Sequence, residues 1–356
     1  MAIIDYQVRG RGLGAEAVNR NASPSARGWD FQANAAVVLF IRNIREAKEI
    51  RVEGRCEDIE LFLNDGTKLY AQAKARTTAN PGEGSASRFQ DALNTLAEDL
   101  REEDCAQILY VTNDEYPFGL RHRAAMFGDD SLYRYGELPD DMRSYIKLAA
   151  DKVGINDDAL KRFSVCVIGF YGEDEETRYR VVHRYVNKLI SDLKLGNQGS
   201  VNVRALRKTW DYMFTKNATN QDTSITVDKE MFVWPIVFEL CEISSDEKIF
   251  DDYDFDFQQE VLLQFHRVID ECSNRFSLVT KILSDFKDFS CRHANSSRRE
   301  VKESFIKEMW QSYEDEIGTE DLDDETGKVL IGLVLQKIIN KRYVIQRMRR
   351  EVNLDN

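Results

Sequence analysis

An α/β fold, with a mixed sheet flanked by helices and followed by a mostly helical region, is predicted by three features of the 356-residue sequence. Helix-like and strand-like stretches alternate over residues 30–112, as they do in the α/β and α+β classes. The dipeptide Asp65-Gly66 separates two strand-like runs, which is a strong signal for a hairpin. From about Pro235 onward, aromatic and aliphatic residues recur at helical spacing.

The first helix is predicted to follow a flexible arm. Residues 1–27 are rich in Gly, Ala, Asn, Ser and Arg and show little periodicity, so we expect a flexible or partner-ordered segment. Helix signals begin at Gly28, and Asp30 is the candidate N-cap. Apolar residues at helical spacing then predict a helix that continues to about Arg45.

The elements that follow alternate between the two types. Strands are predicted at 50–53, 58–63 and 68–74, a loop at 75–87, a helix at about 87–102 and a strand at 108–112. Further along, we expect a strand at 163–170 and helices at 179–193, 257–276, 301–313 and 329–348. This pattern divides the chain into an arm at 1–27, an α/β domain at 28–215 and a helical domain at 216–356.

The composition limits the possible functions only loosely. The net charge of −13 opposes phosphate binding, but the acidic stretches at 173–176, 251–256 and 321–325 all lie late in the chain. No CxxC, HxH or HExxH spacing occurs, which argues against a zinc centre or a disulfide framework. No apolar run approaches the roughly 18 residues that cross a bilayer, and no signal peptide is evident. We therefore expect a cytoplasmic protein without a membrane contact.

Polar residues on the predicted hairpin are the candidates for chemistry. Alternate residues of a strand point to the same face, so Gln72 and Lys74 project together, and Asp58 and Glu60 do the same on the preceding strand. The hairpin register can place Asp58 beside Gln72 and Lys74. Burying a lysine and a carboxylate is costly unless they pair or hold a metal. The alternative is that these side chains only line a solvated face of the hairpin.

Three segments, in this order, resemble the core of the PD-(D/E)XK nucleases. They read Arg-Gly-Trp-Asp-Phe-Gln at 27–32, Val-Glu-Gly-Arg-Cys-Glu-Asp-Ile-Glu at 52–60 and Tyr-Ala-Gln-Ala-Lys at 70–74. More narrowly, the set resembles the double-stranded DNA endonuclease domain of bacterial anti-phage effectors, found in CBASS and Lamassu systems and beside HerA-type translocases. The resemblance covers residues 27–113 and extends loosely to 215. Each motif alone is common, so their order and spacing carry the resemblance.

The resemblance implies a restriction-endonuclease-like sheet and a metal-dependent active site. It implies that Asp58 holds Mg²⁺ or Mn²⁺ through hard oxygen ligands, with the Gln72 side chain and the Ala73 carbonyl as further ligands. Lys74 would orient or help deprotonate the attacking water. Many members of the superfamily carry an acid where this chain has Gln72, so the implied site has less negative charge. A one-metal mechanism and a preference for Mn²⁺ fit such a site.

Two more residues belong to the implied site. Glu53 would add a second carboxylate, and Gln32, from the first helix, would complete the set. The arginines Arg76, Arg88 and Arg121 are candidates for a rim that faces DNA, and solvated arginines are an equally good interpretation.

The implied function is a metal-dependent endonuclease that cuts double-stranded DNA as the effector subunit of a bacterial anti-phage or anti-plasmid complex. A free DNase would harm its host, so we expect control by an SMC-like or HerA-like ATPase partner or by homo-oligomerisation, through the helical domain. A non-catalytic scaffold on a nuclease fold is one alternative. A stand-alone restriction-type endonuclease is another, although no separate base-reading module is evident.

Overall fold

The computed structural model describes residues 23–76, 80–100, 104–122, 127–193, 202–240, 253–271, 276–319 and 321–354. The predicted arm lies outside the described residues as far as residue 22. Among the helices described, none has both the length and the apolar character needed to span a membrane.

Seven strands form one mixed sheet. Their bounds are β1 (Ala47–Val52), β2 (Ile59–Leu63), β3 (Lys68–Lys74), β4 (Cys105–Thr112), β5 (Asp130–Arg134), β6 (Phe163–Ile168) and β7 (Val227–Asp228). The order across the sheet is β5-β6-β4-β3-β2-β1-β7. Strands β3, β4 and β6 are parallel to one another, and the other neighbours pair antiparallel. The predicted α/β class with a mixed sheet is therefore confirmed.

Thirteen α-helices are described alongside the sheet. Those up to the last strand are α1 (Ser23–Arg42), α2 (Ser85–Asp99), α3 (Asp140–Lys152), α4 (Asp157–Leu160), α5 (Glu175–Arg178), α6 (Arg180–Asp192) and α7 (Val203–Ala218). Those after it are α8 (Lys229–Leu240), α9 (Phe255–Glu271), α10 (Phe276–Arg292), α11 (Arg298–Met309), α12 (Glu314–Ile317) and α13 (Asp324–Glu351).

Helix α1 begins earlier than the sequence signals predicted. It starts at Ser23 rather than near Gly28, and it ends at Arg42. Pro24 lies in the first turn, where its missing N–H costs nothing because that group has no intrahelical acceptor. Asp30 therefore lies inside the helix rather than at its cap. Its half-buried carboxylate accepts a hydrogen bond of 2.8 Å from the Tyr179 hydroxyl.

The predicted hairpin is formed by β2 and β3. Its register pairs Ile59 with Ala71 and Leu61 with Leu69. Gly66 adopts a φ of 86°, a conformation that costs glycine little and most other residues more. Asp65 accepts a hydrogen bond of 2.9 Å from the main-chain N–H of Thr67 and closes the turn.

Helices cover both faces of the sheet. On one face α1 packs against α6, α7 and β1, and on the other α2 packs against β3 and β4. The later helices gather around α13, which contacts α9, α10 and α11. Buried residues from α1, the sheet and α13 form one continuous apolar cluster. Helix α7 runs through the predicted boundary at 215, and β7 pairs with β1, so residues after 215 contribute to the sheet.

Candidate active site

The Asp58 carboxylate lies at the open end of the β2–β3 hairpin. Asp58 directly precedes β2, and the pairing of Ile59 with Ala71 places it opposite Gln72. The Gln72 side-chain amide donates a hydrogen bond to Asp58 Oδ2. The main-chain N–H of Ala73 donates to the same oxygen at 2.9 Å. The predicted neighbours Asp58 and Gln72 are therefore in direct contact.

The connection between β1 and β2 brings a second carboxylate to Asp58. The Glu53 N–H donates to the Asp58 carbonyl at 2.8 Å, and the Gly54 N–H donates to the Glu57 carbonyl at 2.9 Å. Glu53 adopts a φ of 50°, which is uncommon for a residue with a side chain and costs of order 1 kcal/mol. A side chain at position 54 would collide with the Glu60 carboxylate, so the tight turn requires the glycine.

Gln32 joins the two carboxylates to the first helix. Its side chain lies close enough to both acids to lower the pKa of Glu53 and that of Asp58. Because Gln32 belongs to α1 and the two acids flank the β1–β2 connection, the helix and the sheet together position the cluster. The structure thus places Gln32, Glu53 and Asp58 within direct reach of one another.

Lys74 supplies the positive charge of the cluster. It is half-buried at the end of β3, and its carbonyl accepts a 2.8 Å hydrogen bond from the Thr112 hydroxyl. Its charge lowers the pKa values of Glu53 and Asp58. Within the described ranges, no carboxylate oxygen lies within 4.0 Å of its Nζ atom. Lys74 is therefore close enough to act on the acids without being engaged in an ion pair.

Both acids hold protons more tightly than free side chains do. Burial is the main cause that raises the pKa of Glu53, and the charge of Asp58 raises it further. Burial also raises the pKa of Asp58, against the Ala73 N–H and the Lys74 charge, which lower it. Two carboxylates therefore share a desolvated position with too little positive charge around them. A bound cation would compensate that deficit.

The available oxygens fit a hard divalent cation. Asp58 and Glu53 offer carboxylates, and Mg²⁺ or Mn²⁺ accepts these together with amide oxygens and water. Gln72 would have to turn its amide over to present its oxygen, because its NH₂ group faces Asp58. The part of the chain that the structure describes contains no group of three or more His, Cys, Asp and Glu side chains arranged to hold an ion. An ion here would consequently rely on two acids and neutral oxygens.

A buried acid pair lies next to the cluster and was missed by the sequence analysis. Glu57 and Asp99 are 4% and 3% exposed. Burial, followed by the hydrogen bond and charge of Asp99, raises the pKa of Glu57 to about 10. The Glu57 carboxyl thus keeps its proton at physiological pH. Asp99 lies at the end of α2, and nothing in the sequence connects it to the β1–β2 turn.

The loop after Lys74 is held by the end of β4. Asn113 accepts a hydrogen bond of 2.5 Å from the Arg76 N–H. The fully buried Asp114 accepts hydrogen bonds from the Gly82 N–H and from Arg88 Nη2, both at 2.9 Å. These contacts anchor the chain on both sides of residues 77–79, and no motif in the sequence predicts them.

The prediction that three arginines form a rim facing DNA is wrong for Arg88. Arg88 turns inward and pairs with buried Asp114, so its guanidinium serves the fold. Arg121 is exposed, and Arg76 is half-buried beside Lys74. Arg88 points inward because the buried carboxylate of Asp114 needs a charged or hydrogen-bonding partner.

Comparisons with protein-family models, curated proteins and solved structures found no match for this chain.

Proposed function

We propose that this chain is a metal-dependent DNA endonuclease with a PD-(D/E)XK-type centre on a restriction-endonuclease-like sheet. The observation that carries the proposal is the direct contact of Asp58 with Gln72. Glu53 lies beside this pair, and so does Lys74, which forms no ion pair with a described residue. A solvated hairpin face would not require a half-buried lysine next to two half-buried acids whose pKa values are raised by burial. The cluster has the charges that phosphodiester hydrolysis uses, in one place.

Each residue has a defined task in this proposal. A bound Mg²⁺ or Mn²⁺ would polarise the scissile phosphate and stabilise its developing charge. Asp58 and Glu53 would hold that ion, with Gln32 fixing both carboxylates and Gln72 and Ala73 fixing Asp58. Lys74 would orient the attacking water or donate to a phosphate oxygen.

A partner is part of the proposal. The chain has a net charge of −13, and a protein of this charge is repelled by double-stranded DNA unless its contact surface is locally basic or supplied by another subunit. We therefore propose that the protein acts as an effector subunit in a bacterial defence complex, with an SMC-like or HerA-like ATPase or a second copy of itself licensing cleavage.

Plasmid cleavage and metal binding together test this function. Supercoiled plasmid would be incubated with Mg²⁺ or Mn²⁺ and the wild type, Asp58→Ala or Lys74→Ala. Asp91→Ala and Lys48→Ala, both exposed and remote from the cluster, serve as matched controls. Cleavage by the wild type and the controls alone supports the proposal, whereas equal cleavage by Lys74→Ala contradicts it.

Calorimetry separates a restrained enzyme from a scaffold. If no protein cuts plasmid, Mn²⁺ binding by the wild type that is lost in Asp58→Ala still supports the metal centre. Absence of metal binding by the wild type would favour the non-catalytic scaffold.

A further inference from the structure

A cavity of about 520 Å³ opens between α10, α11 and α13 in the helical part of the chain. This volume falls within the range of small-molecule sites in proteins. Its walls carry Phe286, Lys287, His293, Arg298, Arg342 and Tyr343, among others. None of these belongs to the cluster around Asp58.

The charge of this cavity is opposite in sign to that of the chain as a whole. Lys287, Arg298 and Arg342 line it, and none of the described residues that line it is an Asp or a Glu. Among the described residues, no carboxylate lies within 4.0 Å of these three cations. The neighbouring Arg299, by contrast, pairs with Glu303 at 2.7 Å. Three cations that have no carboxylate partner among the described residues therefore lie around one cavity of a chain whose net charge is −13.

Two further observations concern Arg342 and Arg298. Arg342 Nη1 donates to the Ile339 carbonyl at 2.9 Å, which fixes the guanidinium on α13. A hydrogen bond from Arg342, then its charge and that of Arg298, lower the pKa of Tyr343. Arg298 is also the first residue of α11, where the positive end of the helix dipole adds to its charge. The geometry thus favours an anion at this point.

The aromatic rings of Phe286, His293 and Tyr343 form part of the cavity wall. The Arg342 guanidinium lies 4.4 Å from the centre of the Tyr343 ring, and Tyr343 is 58% exposed. His293 stacks on Phe289 with ring centres 4.2 Å apart. An exposed tyrosine beside an arginine offers a stacking surface to a planar ligand group.

We propose that this cavity binds a phosphorylated small molecule with a planar ring, namely a nucleoside phosphate. The phosphate would contact Arg298, Lys287 and Arg342, through charge-assisted hydrogen bonds, and the ring would stack on Tyr343. A duplex would instead need an extended basic surface, because its phosphates are spread along the backbone. The inference is independent of the nuclease proposal, since it uses none of the residues of that centre.

The test is titration of the full chain with mononucleotides by calorimetry and by thermal shift. EDTA is present throughout, so that a metal at the candidate active site cannot recruit the nucleotide. The probes are the four ribonucleoside 5′-monophosphates and 5′-triphosphates, adenosine, inorganic phosphate and a short DNA duplex. We expect at least one nucleotide to bind and to raise the melting temperature.

Neighbouring arginines on α11 provide the matched variants. Arg298→Ala should weaken nucleotide binding about tenfold or more, whereas Arg299→Ala and Asp58→Ala should leave it unchanged. Lys287→Ala, at an exposed position, should also weaken nucleotide binding. It replaces Arg298→Ala in the test if Arg298→Ala lowers the melting temperature of the free protein. The proposal is overturned if no nucleotide binds at millimolar concentration, if Arg298→Ala and Arg299→Ala lose affinity equally, or if only the duplex binds.

Discussion

Gln72 and Asp58 face each other across the open end of the β2–β3 hairpin, and the Gln72 amide donates to Asp58 Oδ2. The Ala73 N–H donates to the same oxygen, so the orientation of Asp58 is fixed by its neighbours on β3. Because the opposing residue is an amide, the cluster contains two acids rather than three. This relationship predicts how a charge change at position 72 would act.

Gln72→Glu replaces a hydrogen-bond donor with a third carboxylate. We expect the variant to lose about 1–3 kcal/mol of unfolding free energy in EDTA, because Asp58 loses a partner and gains a repelling charge. Mg²⁺ or Mn²⁺ should restore part of that loss, since an ion that binds only the folded state stabilises it. Urea unfolding with and without the ions measures both effects. Gln90→Glu on α2 is the control, and a Gln72→Glu variant insensitive to ions would contradict a metal centre here.

Glu53→Gln keeps the shape of the second acid and removes its charge. Burial is the main cause that raises the pKa of Glu53, and repulsion by the Asp58 carboxylate raises it further. An ion held by both should bind about tenfold more weakly to the variant, because one of two charged ligands is gone. Calorimetric titration with Mn²⁺ measures this. Glu98→Gln, at an exposed position on α2, is the control and should bind Mn²⁺ as the wild type does. If Glu53→Gln also binds Mn²⁺ with wild-type affinity, Glu53 is not a ligand of the ion.

The sequence was sufficient to predict the hairpin and the pair at its open end. Asp65-Gly66 predicted the turn because few other residues tolerate a φ of 86°, and the two-residue period of a strand placed Gln72 and Lys74 on one face. Register then followed, since a slip by one residue would turn Ala71 and Ala73 to the other face. The contact of Asp58 with Gln72 is a consequence of these local rules.

The supporting contacts could not be predicted because they join distant segments. Strand β7 has two residues, too few to show a period, and it pairs with β1 only because α7 returns the chain to that edge. Glu57 meets Asp99 through the packing of the β1–β2 turn against α2. Asp114 and Arg88 are a second such case, because charged residues are mostly exposed in proteins and nothing in the sequence marks these two as buried partners.

Asp114→Ala tests the anchor beneath the loop that follows Lys74. The variant leaves the Arg88 guanidinium, 19% exposed, without its carboxylate, and it removes the acceptor for the Gly82 N–H. Breaking a buried ion pair on one side costs about 3–5 kcal/mol, and we expect a loss of that order in urea unfolding. Asp91→Ala on the exposed face of α2 should change stability by less than about 0.5 kcal/mol. A small loss in Asp114→Ala would show that water replaces the carboxylate.

Asp211→Asn tests a second acid pair, between α1 and α7. Burial, followed by the charge of Asp30, raises the pKa of Asp211, although Arg207 opposes this. Burial also raises the pKa of Asp30. A carboxyl whose folded pKa is raised contributes stability that is complete below its ordinary pKa and is lost as pH rises through the folded value. Ionising Asp211 in the folded protein therefore costs free energy, and the amide of the variant removes that cost.

The variant should accordingly be more stable than the wild type at pH 7, and this advantage should shrink as the pH falls towards 4. Urea unfolding at several pH values measures the difference in free energy, and Asp91→Asn, which is exposed, provides the control. Arg207 keeps its 2.7 Å pair with Glu175 in the variant, so removing Asp211 does not leave that buried guanidinium without a carboxylate. A variant that is less stable at pH 7 would show that attraction to Arg207 outweighs burial and repulsion.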